Sequence, residues 1–152
     1  RTKGNITPHA EFNIYSDPLA ARIVFESGIP VTLVPLDATH QVFLTSSIIE
    51  ERVMPLGAPF SDFVAAALGY DSVAHRFGRG SEVAYLHDPL AVGAVIDPSL
   101  VKKERLPIHV ETGEGNRFGQ TLESQEGNPL EVCLEADSKG FLELFLSRLK
   151  NG

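Results

Sequence analysis

The run Asp17-Pro18-Leu19-Ala20-Ala21-Arg22-Ile23-Val24-Phe25-Glu26-Ser27-Gly28, leading straight into Ile29-Pro30-Val31-Thr32-Leu33-Val34-Pro35-Leu36, decides the fold class. Asp is a good N-cap, offering its carboxylate to the unpaired amides of a first turn, and Pro suits the first helical position. Leu19 with Ile23 and Ala20 with Val24 recur one helical turn apart, and Gly28 supplies the C′ residue that closes the helix. Ile29 to Leu36 is almost unbroken apolar and carries β-branched Val31, Thr32 and Val34, the pattern of a parallel strand buried on both faces. A capped helix feeding such a strand predicts an α/β fold, with a parallel strand at Val31 to Leu36.

Outward from this pair the chain keeps alternating. Asp37 lies at the carboxyl end of the strand, where open α/β sheets bind ligands, so Asp37, Thr39 and His40 are placed to line or support a site. The preferred alternative is that Asp37 or Thr39 caps the next helix. Thr45 to Val53 reads as helical, with Ser47 and Glu50 in capping-box spacing, until Pro55, Gly57 and Pro59 break it. Ser61 then caps Asp62 to Leu68. Asp71 to Glu82 is a polar surface loop carrying His75, Arg76 and Arg79. Asp88-Pro89 starts a helix over Leu90 to Ile96, and Asp97-Pro98 ends or restarts it. After residue 100 the pattern changes to short alternating runs at Ile108–Thr112, Gln120–Ser124 and Leu130–Glu135, joined by Gly113–Gly119 and Glu126–Pro129. They predict an antiparallel hairpin region near the C-terminus. Ser138 begins a terminal helix whose Leu142, Phe145, Leu146 and Leu149 make a core-facing stripe, with Gly140 as a blemish.

Composition bounds the partners. The 152 residues suffice for one domain spanning 1–152, and 43% hydrophobic with 22% charged residues is an ordinary globular balance. A net charge of −7 argues against a nucleic-acid backbone or an anionic membrane as the main partner. Cys133 is the only cysteine, which rules out an intrachain disulfide and suits a reducing compartment. With no apolar run near the length of a bilayer span and no apolar signal core behind Arg1 and Lys3, the expected location is cytoplasmic. The absence of an initiator Met fits a fragment, a processed product or an engineered chain equally well. No Gly-rich phosphate loop, zinc spacing or nucleophile elbow is present.

Two stretches carry chemistry. In Gly4-Asn5-Ile6-Thr7-Pro8-His9-Ala10-Glu11-Phe12-Asn13-Ile14, an extended backbone would put Glu11 and Asn13 on one face and Phe12 on the other. A carboxylate beside an amide can bind the vicinal hydroxyls of a sugar, and Asn5 could reach the same spot from a turn. In Tyr85-Leu86-His87-Asp88-Pro89-Leu90-Ala91, His87 can give or take a proton near neutral pH, and Asp88 suits a helix cap or a metal ligand. Read alone, His87 would be a surface or capping histidine.

Asn5 with Ala10-Glu11-Phe12-Asn13, then Asp17-Pro18-Leu19-Ala20-Ala21, then His87-Asp88-Pro89-Leu90-Ala91, together resemble the C-terminal half of a nucleoside hydrolase of the inosine-uridine preferring type. The resemblance covers most of the chain up to about residue 100. It implies an open, mostly parallel sheet flanked by helices, and hydrolysis of the N-glycosidic bond of ribonucleosides. By resemblance, Asn5, Glu11, Phe12 and Asn13 bind the nucleoside, His75 and Arg79 approach its base, and His87 is the general acid. Asp88 is one ligand of a calcium ion. The family's aspartate-rich N-terminal stretch, which supplies most calcium ligands, has no counterpart here. The resemblance therefore implies either a catalytic parent of which this is part, or a non-catalytic fragment, degenerate relative or partner subunit. A homo-oligomer or a complex with an N-terminal half is the expected assembly.

Overall fold

The helix predicted at Asp17 begins where its cap chemistry puts it. In the computed structural model, which describes residues 2–68 and 83–151, Asp17 Oδ1 accepts from the Ala20 amide at 2.9 Å. It separates helix α1 (Phe12–Ser16) from helix α2 (Pro18–Glu26), with Pro18 opening the latter and Gly28, at φ +79°, following its Ser27 cap. The buried side of α2 is not the one its aliphatic spacing marks. Pro18 and Phe25 are buried, whereas Leu19 and Ile23 are about three-fifths exposed, at 60% and 61%.

The predicted strand is shorter than the apolar run. Strand β1 is Thr32–Leu33, with Thr32 exposed, and Leu36 already belongs to helix α3 (Leu36–Thr39). Pro30 and Pro35 bracket it, and neither has an amide to add to a ladder. Its pairing is parallel as predicted, Thr32 opposite Glu131 and Leu33 opposite Val132 of β6 (Asn128–Ala136). With β4 (Val101–Val110) and β5 (Thr121–Glu123) these strands form a sheet in the order β1-β6-β4-β5. The β4–β5 pair is antiparallel, Ile108 opposite Glu123 and Val110 opposite Thr121, as the hairpin reading requires. The sheet is thus mixed rather than mostly parallel, because β4 and β5, joined by the short connection 111–120, pair antiparallel, and only a long crossover permits the parallel pairing of β1. β4 also starts earlier than its apolar pattern. Lys102, Lys103, Glu104 and Arg105 face solvent, and Lys102 and Lys103 pair with Glu135 and Glu131 at 2.6 and 3.7 Å.

These strands and α1–α2 belong to one compact unit, Arg1–Ala38 with Val101–Glu135. Its core is Phe25 of α2 with Ile108, Val110, Leu130 and Val132, and Ile14, Ala21 and Leu33 close around them. Gly119, at φ +77°, ends the β4–β5 turn against the Tyr15 backbone, where a side chain would collide.

The second unit is Thr39–Leu100 with Ala136–Gly152. Here β2 (Phe43–Thr45) pairs antiparallel with β3 (Val83–Tyr85). Thr45, not Ser47, caps the following helix α4 (Ser46–Ile48), its Oγ1 accepting from Ile48 at 3.2 Å. The chain continues as a π turn over Ile49–Val53 and a 3-10 turn over Met54–Leu56, ending at Gly57. Helix α5 (Phe60–Leu68) places Ser61 inside its first turn rather than at its cap. Helix α6 (His87–Ile96) leads through a 3-10 turn, Pro98–Leu100, into β4. The last helix, α7 (Ser138–Asn151), is capped by Asp137, whose Oδ1 accepts from the Gly140 amide at 2.9 Å. A Cβ at 140 would strike that carboxylate, so the glycine serves the cap. Phe141, which the predicted stripe omits, is the most deeply buried residue of α7, with Leu146 close behind. Arg52 grips Glu143 through two bonds of 2.8 and 2.9 Å, which hold the Glu143 carboxyl below its ordinary range.

Gly93 lets α6 approach the Phe141 ring, since a Cβ there would lie 2.7 and 2.8 Å from two ring carbons. Phe141→Ala should cost about 3–5 kcal/mol of stability. Gly93→Ala should gain about 1 kcal/mol of helix propensity yet lose roughly 1–3 kcal/mol to overpacking. Denaturant midpoints should therefore fall for Gly93→Ala in the parent chain and rise for the same change in a Phe141→Ala background.

Candidate functional site

The stretch Gly4–Asn13 is a folded loop and helix start, not an extended strand. Thr7 Oγ1 accepts from the His9 and Ala10 amides at 3.2 and 2.9 Å, curling the chain so that Ala10 is fully buried. A Cβ on Gly4 would run into the backbone of Ala10 and Thr7, so this tight curl requires glycine. The curl carries Asn5 to the start of α1, where its Oδ1 accepts from the Phe12 amide at 2.9 Å. Glu11 is the N-cap, its Oε2 accepting from the Ile14 amide at 3.0 Å. With two side chains meeting first-turn amides, helix replaces the expected alternation. Asn13 and Phe12 sit on that first turn and are exposed, Phe12 at 56%.

The loop's other side borders an open cleft of about 430 Å³ lined by Thr7, Tyr15, Glu114, Gly115, Asn116 and Phe118. Tyr15 and Phe118 meet there edge to face at 5.6 Å. The sequence reading passed over both aromatics.

In the second unit His87 is the first residue of α6, half-buried, with Nδ1 2.7 Å from Thr39 Oγ1. The Tyr85 ring lies 5.7 Å from the imidazole, the His40 ring 5.6 Å, and the two neighbours 4.7 Å from each other. Phe43 meets the Tyr85 edge at 5.9 Å. Thr39 therefore contacts His87 rather than capping a helix. The cluster was partly legible, since Thr39 and His40 follow the strand where a site is expected. Their pairing with His87 is set by the β2–β3 register and no local signal announces it. Asp88 is not the N-cap of α6: Leu86 is, without a side-chain bond, and Asp88 stands in the first turn where its charge complements the helix dipole.

Among the described residues no group of three or more His, Cys, Asp or Glu side chains is placed to hold a metal ion. Calcium takes about 6–8 oxygen ligands, so Asp88 and its described neighbours do not make a complete calcium site. His75 and Arg79 lie outside the described residues. Cys133 is fully buried, and burial raises its thiol pKa, which makes it a packing residue rather than a nucleophile. No helix among the described residues is long and apolar enough to cross a membrane.

The chain belongs to the inosine-uridine preferring nucleoside hydrolase family, which it matches over residues 1–143. It is 36% identical over 154 residues to the pyrimidine-specific ribonucleoside hydrolase RihA of Photobacterium profundum, an alignment covering 97% of this chain and 49% of that protein. A plant nucleoside hydrolase has a similar structure, with a TM-score of 0.86 at 30% identity, over 99% of this chain and 51% of that one. The purine-preferring ribonucleoside hydrolase of Gardnerella vaginalis gives a TM-score of 0.77, also at 30% identity, over 99% and 49%. The chain thus spans about half the length of the relatives it matches.

Glu11→Ala should cost about 1 kcal/mol through the lost cap, whereas Glu11→Gln keeps an acceptor oxygen and should cost less. Urea midpoints for the two variants check this; equal losses would show that the cap depends on the carboxylate charge rather than on an acceptor oxygen.

Proposed function

We propose that this chain is the part of a ribonucleoside hydrolase that binds ribose and donates a proton. The full-length enzyme would cleave the N-glycosidic bond to give ribose and free base. The observation that carries this reading is the family match over residues 1–143, whose motif residues fall at two ordered helix starts. Breaking that bond builds positive charge on the sugar ring and negative charge on the base. The chemistry needs anchors for the hydroxyls, a water and a proton donor. Asn5, Glu11 and Asn13 take the anchoring role, Phe12 packs on the nucleoside, and His87 donates the proton.

Asp88 would contribute one ligand to a calcium ion, with the remaining ligands coming from sequence that the relatives have beyond the span matched here. When bound, calcium lowers the pKa of an attacking water and engages ribose hydroxyls. His75 and Arg79 are proposed to face the base. Relatives named for pyrimidine and for purine nucleosides stand at similar identity, so the likeness does not select a base. The buried lone thiol supports a cytoplasmic setting. Association with a complementary half or a second copy is supported by Val92, Val95 and Ile96, which expose one apolar face of α6.

The second reading, a non-catalytic piece or partner subunit, is favoured by the lack of a complete ligand set among the described residues. Release of base from uridine and inosine, with excess calcium, separates the two. The chain alone should turn over slowly or not at all, because proton donation by one histidine gives only about 10²–10⁴ in rate. Adding the N-terminal half of a relative should raise turnover, and His87→Ala should remove the gain. Fast turnover by the lone chain would overturn the ligand argument, and no turnover in the reconstituted pair would favour the non-catalytic reading.

A further inference from the structure

Thr39 ends α3, the residue only 3% exposed and its Oγ1 2.7 Å from His87 Nδ1. A hydroxyl and a neutral imidazole nitrogen can each donate or accept, so the bond has two possible polarities. Burial decides between them. If Nδ1 carried the hydrogen, the hydroxyl's own hydrogen would need a second acceptor in a place closed to solvent. His87 is the single hydrogen-bond partner of Thr39 Oγ1 among the described residues. Buried donors are rarely left unmatched, whereas a hydroxyl oxygen tolerates unused lone pairs.

We infer that Thr39 donates its hydroxyl hydrogen to His87 Nδ1 and thereby fixes the neutral imidazole with its proton on Nε2. The His40 and Tyr85 rings, 5.6 and 5.7 Å away, restrict rotation of the ring about this anchor. Thr39 is then a positioning residue. Its meaning for catalysis rests on the proposed role of His87: the hydrogen a neutral His87 can give to a departing base is the one on Nε2, and giving it leaves an imidazolate whose Nδ1 still accepts from the Thr39 hydroxyl. A valine at position 39 has the same shape without the hydroxyl, and a serine keeps the hydroxyl.

The test is the two-bond nitrogen–proton correlation spectrum of the ¹⁵N-histidine-labelled chain at about pH 8, where an unperturbed imidazole is neutral. The His87 signals are assigned by their loss in His87→Gln. Nδ1 should resonate as a pyridine-type acceptor and Nε2 as a pyrrole-type donor. Thr39→Ser should preserve this pattern, and Thr39→Val should shift both nitrogens toward the average of the two tautomers. No turnover is read, so failure of this lock appears in the nitrogen spectrum while failure of the hydrolase reading appears in base release. A pyrrole-type Nδ1 in the unsubstituted chain, which requires no variant to fold, overturns the inference, as does a folded Thr39→Val chain with unchanged His87 nitrogens.

Discussion

The first turn of every helix leaves amide hydrogens without carbonyl partners, and this chain is organised by how it meets that demand. Asn5 and Glu11 serve α1, Asp17 serves α2, Thr45 serves α4 and Asp137 serves α7. Helix α6 solves the problem differently. The Leu86 amide is taken by the Val42 carbonyl across the β2–β3 pair, Leu90 closes onto Leu86, and Pro89 has no amide to satisfy. His87 and Asp88 are the residues left at that end. Neither side chain is spent on capping this helix, and this is where the family motif falls.

The helix read most completely from the sequence is α2. Asp17-Pro18 with Gly28 gave α2 correctly from end to end, because an N-cap, a fixed proline φ and a left-handed glycine act within a few residues. The Gly4–Asn13 stretch misled for the same reason turned round. Period-two alternation over so few residues cannot compete with side chains that reach first-turn amides, one of them from seven residues away. Strand length failed at Pro30 and Pro35, where apolar character persists but the ladder cannot. In β4 the reverse happened: a charged run on a strand whose side chains pair with Glu131 and Glu135 looks like loop when hydrophobicity is the only guide. Burial was misjudged on α2, and on α7 the predicted stripe holds but omits Phe141, because aliphatic spacing names a stripe without saying what the sheet or the neighbouring helix meets. Phe25 and Phe141, single large rings, decided it in both cases.

The candidate site follows the same division. His87 was marked by its motif, and Thr39 and His40 by their place after a strand. The Thr39–His87 bond spans 48 positions and depends on the pairing of Phe43 with Tyr85, which sets the level at which α6 begins. No periodicity encodes that register. A buried threonine hydroxyl is an acceptable core group only when matched, so the imidazole satisfies Thr39 as much as Thr39 orients the imidazole. This reciprocity explains how the buried Thr39 hydroxyl is accommodated without an unmatched buried side-chain atom among the described residues.

Asn5 and Glu11 raise a related question about what a binding residue is. Each already spends one oxygen on an α1 amide, so a sugar hydroxyl taken up at these side chains, as proposed, meets groups whose position is set before the ligand arrives. A carboxylate has two oxygens and about four lone-pair sites, and an amide side chain keeps its NH₂ when its oxygen is engaged, so capping leaves binding capacity. Such an arrangement lowers the entropy lost on binding, because rotamers held by the backbone need not be frozen by the ligand. It also couples the two roles. Removing either side chain loosens the start of α1 and, with it, the placement of Asn13 on the same turn, so truncation to alanine at these positions reports helix order and ligand contact together.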